Sequence, residues 1–188
     1  ACRVLVLEAG GEVRHPFADV PGAAVMMWDT SDDWAFRSEP QRALNNRRIL
    51  LNRGKALGGS SAINWCLYVR GNRGDFDHWA QLGNTGWGYD DILPYFKKSE
   101  DHWAGATDIH GAGGEWRVEK QRLSWPILDN VMRAAQEIGI PQADDYNDGD
   151  NKGFCYFEVN QKKGRRWSSA DAFLHPIKER PNPTVLTH

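Results

Sequence analysis

One stretch of this chain sets chemically useful residue types at close spacing: Gly54-Lys55-Ala56-Leu57-Gly58-Gly59-Ser60-Ser61-Ala62-Ile63-Asn64. Gly58 and Gly59 remove two Cβ atoms, so the backbone can come within van der Waals distance of a flat or anionic ligand. Ser60 and Ser61 follow with hydroxyls and successive N–H groups, a nest suited to a pyrophosphate. Asn64 adds a donor and an acceptor at one point. Physically, the segment is a close-approach polar loop for a phosphorylated cofactor.

A second candidate is Glu8, at the carboxyl end of the apolar run Val4-Leu5-Val6-Leu7. Such a run, closed by Gly10 and Gly11, predicts a buried parallel strand. In dinucleotide-binding folds an acidic residue at this point takes the ribose hydroxyls, about 20 residues after a glycine-rich phosphate loop. Only seven residues precede Glu8. If Glu8 has that role, the first strand and its loop are expected upstream of residue 1; otherwise it merely ends an ordinary strand. Pro183 to His188 reads as another strand, and both ends suggest a piece of a longer protein.

The elements that must position these residues are legible in part. Residues 11–50 are broken by Pro16, Pro21 and Pro40 and read as irregular. Helices are predicted over 75–82 with Asp75 as N-cap, over 90–98 with acids first and lysines last, and over 124–138 with Ser124 as N-cap. In the last of these, Ile127, Val131, Ala135 and Ile138 share one apolar face. Strands are expected at 115–118 and 154–160, a polar turn at 144–153, and a helix at 168–174 stopped by Pro176.

Composition narrows the class. Hydrophobic residues make up 40% and charged residues 26%, enough for a buried core. A net charge of −2 gives no general attraction to nucleic acid or anionic lipid. No apolar run approaches the ~18 residues of a membrane span. The three cysteines are too scattered for a disulfide framework.

Several other clusters invite and then fail a functional reading. His102, Asp108 and His110 sit in a glycine loop with no ligand spacing. Asp144 to Gly149 lacks the calcium-loop glycine and glutamate positions. Lys162-Lys163 and Arg165-Arg166 read as a solvated basic turn. Ser60 and Ser61 lack the G-x-S-x-G elbow of a hydrolase.

The 54–64 segment, followed at fixed spacing by Tyr68, Gly71 and Asp77, resembles the first signature of the glucose–methanol–choline family of flavin-dependent alcohol oxidoreductases. Val4 to Gly10 is similar to that family's second strand, and Trp87 to Phe96 to its helix after the signature. His110-Gly111 with Gly113-Gly114 resembles its loop over the active site. Gly164 to Ala170, with Phe173-Leu174, resembles the segment leading back to the cofactor sheet.

The resemblance implies an α/β class: a Rossmann-like FAD-binding fold, incomplete because its first strand is missing, with part of an α+β substrate region. FAD-binding pieces would cover about 1–75 and 165–188, and a helical, substrate-side region about 76–164. It implies that Glu8 binds the adenosine ribose and that Ala56, Gly58, Gly59 and Ser60 line the FAD. Asn64, Trp65, Cys66 and Leu67 would lie along the flavin and ribityl chain. Some members link FAD covalently through a histidine just before this asparagine; Ile63 stands there, so noncovalent FAD is implied. A small-molecule alcohol would give hydride to flavin N5. The upstream glycine loop, the second signature and the C-terminal histidine base are absent, so no catalytic residue is expected within the chain and the chain alone is expected to be inactive. A cytoplasmic location is implied, with peripheral membrane contact open for the intact enzyme. No nucleic-acid partner is expected, and no residue selects the alcohol, the electron acceptor or an oligomeric state. The rival readings are a tryptophan-rich carbohydrate-binding module, suggested by the nine tryptophans, and a nicotinamide-dependent Rossmann-type enzyme.

Overall fold

A computed structural model describes residues 2–188, and the chain divides into two units. One runs to Cys66 and resumes at Gln161; the other spans Leu67–Asn160.

In the first unit, strand Val4–Glu8 pairs in parallel with Pro183–Thr187, in register from Val4 opposite Pro183 to Glu8 opposite Thr187. The apolar and β-branched residues of both segments favour strands. Burial does not follow: Leu7 is 71% exposed, and Val4 and Leu5 are also exposed. The sheet has two strands, and Val6, which lines a cavity with Leu57, Phe173 and Leu174, is half-buried.

The 11–50 stretch contains little regular structure, but it is not unorganised. A 3-10 segment, Pro21–Met27, brings Met27 against Ala62 and Ile63, with Val13, Ala18 and Trp28 packed around them. Asp33 is the polar knot of this region. Its carboxylate accepts from the backbone of Ala35, Arg53 and Asp29 and from the Asn52 amide. Burial opposes its charge, yet these donors outweigh burial and hold its carboxyl below the usual range. The short antiparallel pair of Phe36–Arg37 with Leu50–Leu51 then returns the chain to the signature.

In the second unit, helices cover Arg73–Gln81, Tyr89–Ser99 and Pro126–Glu137. The first is capped by Asn72, whose side chain accepts from the Gly74 N–H at 2.8 Å, not by Asp75. Asp75 falls instead in the first turn, where its charge suits the helix dipole. Pro94 lies inside the second helix, which continues through it to Ser99. The third helix starts after Trp125 rather than Ser124. Its apolar stripe is mostly open: Ala135 is buried, while Ile127, Val131 and Ile138 are exposed.

Strand Trp116–Val118 pairs in parallel with Glu100–His102, a strand that the charged sequence Glu-Asp-His gave no reason to expect. The predicted 154–160 strand reduces to isolated bridges at Phe154 and Val159. The predicted helix at 168–174 is a single π-helical turn, Ala170–Leu174, and Pro176 enters the following 3-10 turn instead of stopping it.

Candidate functional site

The signature folds tightly on itself. Gly58 (φ 95°) and Gly59 (φ 53°) both take left-handed backbone and lead into the 3-10 turn Gly59–Ala62. A Cβ on Gly54 would stand 2.1 Å from the Gly59 carbonyl oxygen, so that fold-back requires glycine. The same device brings in the end of the Val4–Glu8 strand. A Cβ on Gly10 would stand 1.8 Å from the Lys55 carbonyl oxygen, and the Leu57 N–H donates to the Gly11 carbonyl at 2.9 Å.

That approach puts Glu8 beside Gly58 and Gly59. The three line one cavity of about 380 Å³ together with Leu57 and Ala170. One Glu8 carboxylate oxygen accepts from the Gly10 N–H at 2.8 Å, which fixes the side chain at the strand end. A Cβ on Gly59 would meet nothing within 4 Å, so the loop presents bare backbone there. A second cavity of about 600 Å³ is lined by Gly10, Gly11, Arg14, Lys55 and His188.

The other expected contact residues are distributed less uniformly. Ala56 is fully buried beneath the loop. The Ser60 hydroxyl turns back to accept from the Gly54 N–H at 3.1 Å. Asn64 is exposed, and its Oδ1 accepts from the Cys66 N–H at 2.9 Å. That bond closes a turn in which Cys66 takes a left-handed φ of 60° and becomes buried. Burial pushes the Cys66 thiol up, against the pull of Arg166. Trp65 is half exposed and meets Trp28 edge to face, ring centres 5.6 Å apart. Leu67 belongs to the second unit, where it bridges to Val159.

The segment 166–169 braces this loop, which local sequence patterns did not reveal. The Ser61 hydroxyl donates to the Gly58 carbonyl at 2.6 Å, and the Ser169 N–H donates to the Ser61 hydroxyl at 2.8 Å. Arg166 donates to the Ser61 carbonyl and to Asn64 Oδ1, each at 3.0 Å. The solvated basic turn is therefore corrected at one position. Lys162, Lys163 and Arg165 are exposed, but Arg166 is only 5% exposed because three oxygen acceptors draw its guanidinium inward. The only local hint is the alternation of sides along the short Arg165–Arg166 strand.

In the second unit, two of the three residues set aside as metal ligands do come together. His102 and His110 stack, ring centres 3.8 Å apart and planes 11° from parallel, and Glu158 joins them. Near-parallel stacked imidazoles aim their in-plane lone pairs along parallel planes, which suits one shared ion poorly. Both His110 nitrogens are also engaged, Nδ1 with Glu100 at 3.0 Å and Nε2 with Asp145 at 2.7 Å. Burial opposes the His110 charge, but these two carboxylates outweigh burial and push its pKa up to about 9. Glu100, fully buried, also accepts from Arg70 at 2.8 Å and from the Gly111 N–H at 2.7 Å. The cluster is a buried ion network that staples the Glu100–His102 strand to its loop.

The chain matches the family model for GMC oxidoreductase over residues 5–188. The chain belongs to the GMC oxidoreductase family. It is 43% identical over 186 residues to an oxygen-dependent choline dehydrogenase of Sinorhizobium fredii (strain NBRC 101917 / NGR234), covering 97% of this chain and 34% of that protein. A choline dehydrogenase of the same description from Rhizobium rhizogenes (strain K84 / ATCC BAA-868) is 42% identical over the same length, with the same coverage. Among solved structures, pyridoxine 4-oxidase from Mesorbium loti superposes with a TM-score of 0.93 at 34% identity, covering 98% of this chain and 37% of that one. An FAD-dependent oxidoreductase from Chaetomium thermophilum does so with a TM-score of 0.87 at 30% identity, covering 98% and 34%. The chain thus spans about a third of the length of the curated relatives it matches.

Membership makes the fold the GMC oxidoreductase's Rossmann-like, FAD-binding α/β architecture, and FAD the cofactor that goes with it. It leaves the carbohydrate-binding alternative without support. The residues present fit such a cofactor: bare backbone at Gly59, a tethered carboxylate at Glu8 and polar side chains after the loop match a ligand with ribose, diphosphate and ring. No helix among the described residues is long and apolar enough to cross a membrane.

Proposed function

We propose that this chain is the part of an FAD-dependent alcohol oxidoreductase that holds the cofactor along the Glu8 to Asn64 side. The observation that carries this reading is the convergence of Glu8, Gly58 and Gly59 on one groove, although they are remote in sequence. In the proposal, Glu8 accepts from the ribose hydroxyls, with its free carboxylate oxygen toward the ligand. Gly58, Gly59 and Ser60 bring backbone against the diphosphate over the buried Ala56. Asn64, Trp65, Cys66 and Leu67 flank the ring and ribityl chain. Bound FAD supplies the hydride acceptor for oxidation of a CH–OH group. Support for a small alcohol as substrate comes from relatives described as choline dehydrogenases and a neighbour described as a pyridoxine oxidase. The proton acceptor for the alcohol is assigned to sequence outside these residues, as is the rest of the substrate pocket. The 1–75 and 165–188 pieces form the cofactor side and 76–164 the substrate side, in a protein we place in the cytoplasm.

The bond to FAD is proposed to be noncovalent. Ile63 is buried among Met27 and Ala62 and carries no nucleophile. The test is acid precipitation of the purified holoprotein. Yellow colour in the supernatant, with a ribose-intact FAD by chromatography, is the expected result. Flavin retained in the pellet would show a covalent link from another residue, and a colourless protein that takes up no FAD would sink the reading altogether.

A further inference from the structure

Arg166 is a buried cation without a buried anion. Its Nε donates to the Ala18 carbonyl at 2.9 Å, and its Nη1 donates to the Ser61 carbonyl and to Asn64 Oδ1 at 3.0 Å each. Its Nη2 is buried and has no partner. The nearby carboxylates are spent elsewhere: Asp19 pairs with Arg165, and Asp171 takes the Ser168 hydroxyl and His175. A buried guanidinium satisfied only by neutral oxygens is costly, and burial accordingly lowers its pKa. An arrangement this unfavourable needs a reason beyond packing.

Asn64 supplies it. The atom that faces both the Cys66 N–H and the Arg166 Nη1 must be an acceptor, because both neighbours can only donate. The carbonyl oxygen is therefore turned inward with its two lone pairs occupied. The amide cannot flip without setting its NH2 against two donors. What the exposed Asn64 has left to offer is a pair of N–H donors.

We propose that Arg166 is a positioning residue: it locks the Asn64 amide so that the signature presents a hydrogen-bond donor, never an acceptor, to FAD. This rests on the cofactor reading above. It specifies the partner atom by class. A ring carbonyl, an unprotonated ring nitrogen or a ribityl oxygen can accept from Asn64, whereas the N3–H of the isoalloxazine cannot. The guanidinium charge polarises the amide carbonyl and so strengthens its NH2 as a donor.

The discriminating variant is Asn64→Asp in the holoprotein. A carboxylate can accept from both Cys66 N–H and Arg166, so folding is retained, with a thermal midpoint equal to or above wild type. The NH2 donor is lost, and a negative oxygen faces the cofactor. FAD affinity, followed by flavin fluorescence, is expected to fall about 10- to 100-fold, and the flavin potential to move negative. Arg166→Lys keeps a charge but not the planar fork; it is expected to weaken FAD binding in the same direction with an unchanged far-UV spectrum. Wild-type affinity and potential in Asn64→Asp would overturn the inference while leaving the cofactor reading intact. A marked drop in thermal midpoint for Asn64→Asp would also overturn it, because the guanidinium would then not face that side chain. Wild-type protein that takes up no FAD would instead remove the cofactor reading on which the inference stands.

Discussion

Ser169 donates its backbone N–H to the Ser61 hydroxyl at 2.8 Å, and the two hydroxyls lie 3.1 Å apart. Ser61 in turn donates to the Gly58 carbonyl at 2.6 Å, and the Ser169 hydroxyl donates to the same oxygen at 3.1 Å. One carbonyl of a left-handed glycine is thus held by two hydroxyls that approach from opposite parts of the chain. The conformation of Gly58 is over-determined by one hydroxyl three residues on and another 111 residues away.

Ser61→Ala is therefore expected to cost about 1–3 kcal/mol, since it strips the Gly58 carbonyl of a donor and leaves the Ser169 N–H without its acceptor. The loss should appear as a lower denaturation midpoint, accompanied by weaker FAD binding. A midpoint within experimental error of wild type would mean that solvent replaces both bonds.

Gly58 and Gly59 should respond differently to alanine. Both changes carry the left-handed backbone penalty, roughly 1–2 kcal/mol. At Gly58 the new Cβ also meets the Ser168 hydroxyl at 3.2 Å, whereas at Gly59 it enters open space. Gly58→Ala is expected to be the less stable protein. Gly59→Ala is expected to lose FAD affinity out of proportion to its stability loss, because its methyl group stands where the loop presents bare backbone. Equal FAD affinity in Gly59→Ala and wild type would place the cofactor away from that surface.

The stability of the Leu67–Asn160 unit should depend on pH through His110. Its pKa rises from 6.5 to about 9 on folding, so the stabilisation is complete below about 6.5 and is lost as pH climbs through 9. Glu100 and Asp145 run the other way: their folded values are held down by His110, so their contributions exist above about 4.5 and 3.8 and fade as pH falls below those values. Arg70 stays charged throughout. The expected profile is a plateau near pH 5–6 with an alkaline decline of up to about 1.4 kcal/mol per pH unit. His110→Gln should be destabilised by about 1–3 kcal/mol at pH 6, because Asp145 loses its ion partner while Glu100 keeps Arg70 and the Gly111 N–H, and should lose the alkaline decline. Urea titrations at a series of pH values measure both; a His110→Gln profile that still declines above pH 6.5 would assign the titration to another group.

The sequence by itself determined what depends on neighbours in the chain. Paired glycines at 58 and 59 adopt left-handed backbone because they lack Cβ, and the asparagine at 64 closes a local turn onto Cys66. The two apolar segments at either end become strands, and the helices lie where acids, lysines and flanking glycines punctuate the chain. Cap positions shifted by one to three residues: Asn72 caps the first helix in place of Asp75, and the third begins after Trp125, one residue past Ser124, with no side-chain cap. What only the tertiary structure decided involves groups whose partners are distant in sequence. Arg166 and Arg165 are adjacent and chemically identical, yet one is buried on three oxygens and the other lies in solvent. His102 and His110 share no helix face, yet a strand and a glycine loop stack their rings. Charge and periodicity describe a residue's own preferences, whereas the acceptors that draw a guanidinium inward, or the carboxylates that hold a proton on an imidazole, exist only once remote backbone has been brought beside them.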